Sequence, residues 1–335
     1  MNNWWAALAA STIVLATAGC DAGASDGPSI VVYNAQHEQL ISEIAPVFTK
    51  KTGIKVQLRN GSDSELAAQL EQEGDASPAD VFLTENSPAM SQVERAGLLR
   101  PLPNSALAPI PAQYRPRSGL WTGFVGRSTV LVYNTEKVQP SELPTSLMDL
   151  ADPAWKGRVS FSPTGADFQA IVSAVLELKG EKATRAWLAG LKANGTTYDG
   201  NNVVLEAVNA GRSDVGIIYH YYWYRDQAES GAASDSSKLH FFGDQDPGAF
   251  LSVSGAGVLK SSKHASDAEK FVAYLTGADG QKKLAASYAL EYPLSSAASL
   301  GPPVKPFDEL EPPKVNVSDL DGPAVVKLLT EAGFL

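Results

Sequence analysis

The chain of 335 residues has a single cysteine, Cys20. One thiol closes no intramolecular disulfide and builds no thiolate metal cage, so a cystine-stapled fold and a Cys-rich zinc site are both excluded. Basic residues are in deficit: 27 Lys and Arg stand against 37 Asp and Glu, a formal net charge of −10. A protein that grips a phosphate backbone shows the opposite balance, so no nucleic-acid role is expected. Three catalytic signatures are absent as well: HExxH, a GxSxG nucleophile elbow, and a P-loop with its lysine. What is present is the composition of a packed protein, 44% hydrophobic and 19% charged. That excludes wholesale disorder and collagen-like or coiled-coil designs. The length suits one large domain or two modest ones, each able to bury its own core.

The first 19 residues carry no charge, and Trp4 to Gly19 form an apolar or small-residue run. That run of about 16 residues falls short of the ~20 needed to span a bilayer. It ends in Thr17-Ala18-Gly19-Cys20. This resembles a bacterial lipoprotein signal, in which the cysteine is lipidated and begins the mature chain. Thr17 replaces the commoner leucine, and Met1-Asn2-Asn3 lacks Lys or Arg. A weak signal or a true start further upstream would account for both departures. The alternative is a plain secretory signal with an incidental cysteine. Residues 1–19 are therefore expected to be a signal peptide, and 20–27, ending in small polar residues, the lipidated Cys20 and a tether.

From Ser29 onward the pattern alternates strand, helix, strand. Ile30 to Tyr33 is a continuous apolar run of the kind buried on both sheet faces. Leu40, Ile41, Ile44, Val47 and Phe48 make a helical stripe that Gly53 ends. Ile54 to Leu58 alternates as a strand, and Ser62 with Glu65 spells a capping box. Asp80 to Leu83 reads as another buried strand, and Ser87-Pro88 as the N-cap and first residue of a helix closed by Gly97. The grammar restarts with strands at Val130–Tyr133, Arg158–Phe161 and Val215–Ile218. Helices are expected at Asp167–Lys179, Glu181–Asn194, Ala265–Thr276 and Pro323–Ala332. Such βαβ alternation implies α/β lobes with mostly parallel sheets, and there are more strands than one doubly wound sheet usually holds. Gly301 to Lys314 holds five prolines and reads as an extended packing strap.

Polar groups gather at three places just beyond strand ends, where βα sheets put ligands. They are Tyr33-Asn34-Ala35-Gln36-His37-Glu38, Thr84-Glu85-Asn86, and Tyr219-His220-Tyr221-Tyr222-Trp223-Tyr224-Arg225. The third crowds four tyrosines around one histidine. In a strand Tyr221 and Tyr222 would point to opposite faces, so a shared site requires the strand to have ended there. Residue by residue, a bland reading competes: core aromatics, a hydrogen-bonding histidine, a glutamate serving a helix dipole.

Taken together, six segments resemble the periplasmic ferric-ion-binding proteins, the iron receptors of bacterial ABC importers. They are Val32-Tyr33-Asn34-Ala35-Gln36-His37, Ser77-Pro78-Ala79-Asp80-Val81-Phe82, Gly126-Arg127-Ser128, Tyr221-Tyr222-Trp223, Asp246-Pro247-Gly248-Ala249 and Glu291-Tyr292-Pro293-Leu294. The resemblance covers essentially residues 28 to 335. It implies a two-lobed α/β flytrap fold of the class II type, with mixed, mostly parallel sheets and a hinge. The expected first lobe is 28–127 plus about 245–300; the second is 128–244 plus the strap and helix of 301–335. It implies His37, Glu85, Tyr221 and Tyr222 as Fe³⁺ ligands. The chemistry agrees, because a small hard cation prefers anionic oxygen, and two phenolates with one carboxylate balance a +3 ion.

The family completes the coordination with an exogenous anion. Gly165, Ala166 and Asp167 take the loop positions here and Asn201 matches one of its asparagines, with Arg127 as either a nearby compensating charge or a structural residue; phosphate is the family's anion, and carbonate, another small anion or none are the alternatives. Two departures stand out: Asp167 replaces a small neutral residue and would repel an anion if its side chain faced in, and Tyr219 replaces an asparagine. His220 would sit in an outer shell. The resemblance further implies a non-enzymatic, monomeric receptor, lipid-anchored in the periplasm or on the outer cell surface, that delivers Fe³⁺ to an ABC permease and its ATPase. A same-fold receptor for a polyamine, thiamine or an organic anion is the first alternative. A metal-dependent hydrolase is the second, and would need an open coordination position with a general base.

Overall fold

The computed structural model describes residues 27–230 and 234–335; the signal, Cys20 and most of the tether lie outside the described residues. The first wing opens with β1 (Ser29–Asn34), α1 (Glu38–Thr52), β2 (Lys55–Asn60), α2 (Asp63–Glu73), β3 (Val81–Leu83), α3 (Ser87–Arg95) and the short α4 (Asn104–Leu107). The long strand β4 (Trp121–Asn134) leads to β5 (Val159–Phe161), α5 (Ala166–Asn194), β6 (Gly195–Thr197), α6 (Asn201–Asn209), β7 (Val215–Tyr219), α7 (His220–Ser230) and β8 (Ser237–His240). The chain then returns through β9 (Leu251–Val258), α8 (Ala265–Thr276), α9 (Ala278–Ala285) and β10 (Tyr292–Pro293), and ends in α10 (Gly322–Glu331).

Local chemistry accounts for several boundaries. Gly53 ends α1 in the left-handed region, φ +78, which a residue without Cβ enters freely. Ser62 and Glu65 form the expected reciprocal capping box on α2. Gly180, φ +78 and ψ 167, breaks α5 between the two helices expected on either side of it. The N-cap of α3 is Asn86 rather than Ser87, one residue earlier than the Ser-Pro signal suggests. No helix among the described residues is long and apolar enough to cross a membrane.

The strands join in the order β2-β1-β3-β9-β4-β7-β5-β6, with β8 and β10 also pairing with β4. The result is a mixed α/β sheet with a wing at either end. Parallel pairing holds at the wings, in β2-β1-β3 and β7-β5-β6. The centre departs from the mostly parallel expectation: β3-β9, β9-β4, β4-β7, β4-β8 and β4-β10 are all antiparallel. The reason is β4, which is far longer than the Val130–Tyr133 run. Trp121–Ser128 pairs with β9, and Thr129–Tyr133 pairs with β7. One continuous strand, buried along its whole length, thus serves both lobes. Its first half includes Gly123, Gly126 and Arg127, to which the sequence pattern assigned no element. They are strand because β9 and β10 pair with that stretch, and position 123 needs glycine because a Cβ there would lie 2.6 Å from the Tyr114 carbonyl oxygen.

Each wing has its own core. Phe82, Met90, Trp121, Val253 and Tyr292 cluster in the first, and Leu131, Phe161, Phe168, Trp187 and Leu191 in the second. Val304, Phe307 and Leu310 of the strap pack on the first cluster, whereas Val325, Leu328 and Leu329 of α10 join the second.

Candidate metal centre

β1 ends at Asn34, and the turn Ala35-Gln36-His37 leads into α1. Gln36 shapes this turn. Its Oε1 accepts the His37 backbone N–H at 2.5 Å, and its Nε2 donates to Ser254 Oγ on β9 at 2.6 Å. Glu85 sits between β3 and α3, where buried Asp63 holds the loop. The carboxylate of Asp63 accepts the N–H groups of Glu85 and Asn86, both at 2.9 Å. Burial pushes Asp63 up to about 7 despite those bonds. From the other wing, β7 passes into α7 between Tyr219 and His220 with no intervening loop. The strand therefore ends just before the tyrosine pair. Helical geometry lets both rings serve one side, stacked with centroids 4.2 Å apart.

The four expected ligands converge. His37 Nε2 lies 3.4 Å from the Tyr221 hydroxyl and 3.4 Å from Glu85 Oε1. The His37 and Glu85 side chains keep 23% and 22% exposure. A cleft of about 1000 Å³ opens beside Glu85, lined by Glu85 and Asn86 and by Thr164, Gly165 and Ala166, while His37, Tyr221 and Tyr222 lie behind its lining. Among the described residues no group of three His, Cys, Asp or Glu side chains could hold a metal, so the candidate set depends on its two phenols.

The anion loop is the surprise. Asp167 faces inward and is buried. Its Oδ1 accepts from Asn86 Nδ2 at 3.2 Å, and its Oδ2 accepts from Asn201 Nδ2 at 2.8 Å and from the Tyr222 hydroxyl at 3.1 Å. Tyr219, at the other departure from the family pattern, donates to the Asp167 carbonyl oxygen at 3.1 Å. Gly165 is the N-cap of α5 and Ala166 its first residue. Arg127 is fully buried and does not hydrogen-bond this loop: its Nη1 is 3.3 Å from Glu85 Oε1, and its Nη2 donates to Asn86 Oδ1 at 3.3 Å. Its Nε has no partner.

The electrostatics follow from burying anions around one cation. Burial and then the negative charge of Asp167 hold Glu85 well above the usual carboxylate range, with Arg127 opposing. Burial is also the largest cause of the rise in Tyr221 and Tyr222, both well above 10, so both phenols keep their protons at neutral pH. Burial pulls His37 down, but the hydrogen bond and charge of Glu291, with Glu85, outweigh it and leave the imidazole raised. His220 is no candidate ligand. Its Nδ1 accepts from the Ser128 N–H at 3.2 Å and its Nε2 donates to the Leu290 carbonyl at 2.9 Å. Burial drops its pKa to about 4, so it stays neutral.

Sequence reasoning did not assign roles to Asp63 or Glu291. Asp63 reads as an acidic residue in the first turn of a helix, and that is also what it is. Glu291 offered a fainter sign, one carboxylate in the apolar stretch Leu290-Glu291-Tyr292-Pro293-Leu294.

The model of the family described as "Bacterial extracellular solute-binding protein" matches residues 76–320. The chain is 55% identical over 329 residues to the Fe(3+)-binding periplasmic protein of Serratia marcescens, covering 98% of this chain and 97% of that one. It is 39% identical over 308 residues to the major ferric iron-binding protein of Neisseria meningitidis, covering 91% and 93%. Its structure superposes on iron-bound HitA from Pseudomonas aeruginosa with a TM-score of 0.86 at 43% identity, covering 91% of this chain and 99% of that one.

Proposed function

Because the chain belongs to the bacterial extracellular solute-binding proteins, with ferric-ion-binding members as close relatives, we propose that it captures Fe³⁺ between its two lobes and passes it to an ABC permease. The observation that carries this reading is the meeting of the stacked Tyr221-Tyr222 pair with His37 and Glu85. The first lobe brings His37 and Glu85, and the second brings Tyr221 and Tyr222. A ligand gripping both sets binds the closed form better than the open one, which is the condition for shifting a hinge equilibrium. Adding Fe³⁺ to the iron-free protein is expected to develop a phenolate-to-iron charge-transfer colour and to raise the melting temperature. A colourless protein with an unmoved melting point overturns the iron reading and favours a polyamine, thiamine or organic-anion receptor.

Asp167 changes the anion question. Its carboxylate, held by Asn86, Asn201 and Tyr222, stands at the N-terminus of α5, where the family resemblance leads one to expect an external anion. Our reading is that this internal carboxylate takes that place, so that no phosphate or carbonate is required. Four anionic groups, the two phenolates with Glu85 and Asp167, then face Fe³⁺ with the Arg127 guanidinium beside Glu85. Iron affinity is expected to be equal in buffer alone, in phosphate and in carbonate. Asp167→Asn should weaken binding and make it respond to added anion. A wild-type protein that needs phosphate for tight binding contradicts the internal-anion reading.

The chain is a binding protein in this account, exported and acting as a monomer beside its permease and ATPase. Cys20 is the proposed lipid attachment, with residues 1–19 removed. Mass spectrometry of the mature protein is expected to find a diacylated N-terminal Cys20; an unmodified cysteine, or cleavage elsewhere, refutes the anchor.

A further inference from the structure

Among the described residues Glu291 is a fully buried carboxylate that faces a histidine, His37. It follows α9 and directly precedes β10. Its Oε1 lies 2.9 Å from His37 Nδ1, and its Oε2 accepts from Gln36 Nε2 at 3.2 Å. Gln36 also holds the backbone N–H of His37, so ring and backbone of the same residue are gripped by one connected group. Burying a carboxylate is costly unless its charge is used. A neutral residue would fill this space without that cost.

What the charge does is fix a tautomer. A carboxylate only accepts, so Nδ1 carries the hydrogen and the Nε2 lone pair is left pointing at Glu85 and Tyr221. The same turn is fastened from the opposite side. Leu290, φ +55, occupies the left-handed region that a leucine rarely adopts, and its carbonyl accepts the Nε2–H of His220. His220 immediately precedes Tyr221, and its other nitrogen accepts from Ser128 on β4. One turn thus links the histidine of the first lobe to the start of the helix bearing the tyrosine pair.

We propose that Glu291 is a positioning residue for Fe³⁺ capture, orienting His37 with Nε2 free toward the ion, and that His220 anchors the Leu290–Glu291 turn against the tyrosine-bearing helix. This deepens the iron reading and rests on it.

The test begins with iron-free protein labelled with ¹⁵N-histidine, at alkaline pH where the rings are neutral. Long-range ¹H–¹⁵N correlations are expected to show His37 as a single tautomer with hydrogen on Nδ1. Glu291→Leu should lose that preference. It should also weaken Fe³⁺ binding about 10- to 100-fold in competition with a chelator, the usual loss for an outer-shell partner. In a His37→Ala background the same substitution should cost nothing further, because the residue it positions is gone. Glu291→Gln keeps an acceptor of the same shape and serves if the leucine variant fails to fold; it should keep the tautomer and lose less affinity. An unchanged tautomer in Glu291→Leu, or an equal affinity loss with and without His37, overturns the proposal. A wild-type protein that binds no iron defeats the parent reading instead, while the tautomer measurement still stands.

Discussion

Tyr221→Phe and Tyr222→Phe are each expected to abolish the iron-dependent colour at Fe³⁺ concentrations that saturate the wild-type protein. Each substitution removes one oxygen and leaves the ring. The stacked pair, 4.2 Å apart and 29° from parallel, therefore keeps its packing. The Tyr221 hydroxyl gives up a contact with His37 Nε2, and that of Tyr222 gives up one of the three hydrogen bonds that the Asp167 carboxylate accepts. A lost hydrogen bond of this kind costs about 1 kcal/mol of stability, so the iron-free variants should melt near the wild type. The effect on iron should be far larger. A phenolate is both a ligand and one of the negative charges that balance a hard +3 ion. The loss should exceed the roughly 10- to 100-fold typical of outer-shell changes. Full colour in either variant removes that tyrosine from the ligand set.

Affinity should also fall steeply in acid. In the empty site burial comes first, and then neighbouring negative groups, in holding Tyr221 and Tyr222 well above the ordinary phenol value of 10. Both are protonated at neutral pH, and Fe³⁺ must displace both protons. Releasing two protons per ion makes the binding constant rise about 100-fold per pH unit throughout the range where both phenols are protonated. Glu85, raised by burial and by Asp167, adds a fraction of a third proton while it too is protonated. The sign is fixed: groups whose pKa is raised in the empty protein bind protons that compete with the metal, so acid favours release. Titration against a chelator of known pH dependence measures the slope. A slope near zero would mean that the phenols are not ligands.

The elements that were legible in the sequence are those with strong local causes. The capping box at Ser62 and Glu65, the left-handed Gly53 and the break at Gly180 need no distant partner. The boundary between β7 and α7 was legible only conditionally: paired tyrosines could share a site only if the strand had ended before them, and it ends at Tyr219. The first half of β4 was not legible. Gly123, Gly126 and Arg127 carry no strand pattern, and they become strand because β9 and β10 pair with that stretch. The antiparallel centre of the sheet was hidden for the same reason. Alternating βα segments specify their neighbours on either side, but not the strand that returns from more than a hundred residues away.

The sequence by itself determined which chemistry is available. Cysteine is too scarce for a thiolate site, and the motifs for hydrolysis or nucleotide binding are absent, while tyrosine, histidine and glutamate cluster at strand ends. It also marked Asp167 as a departure without saying which way the carboxylate points. Only the tertiary structure decided that Asp167 turns inward onto Asn86, Asn201 and Tyr222, that Arg127 pairs with Glu85, and that Glu291 grips His37. His37 lies 184 positions from Tyr221 and 254 from Glu291. Local propensity acts over a few residues, whereas contacts at these separations exist only after β4 and β9 have brought the two wings together.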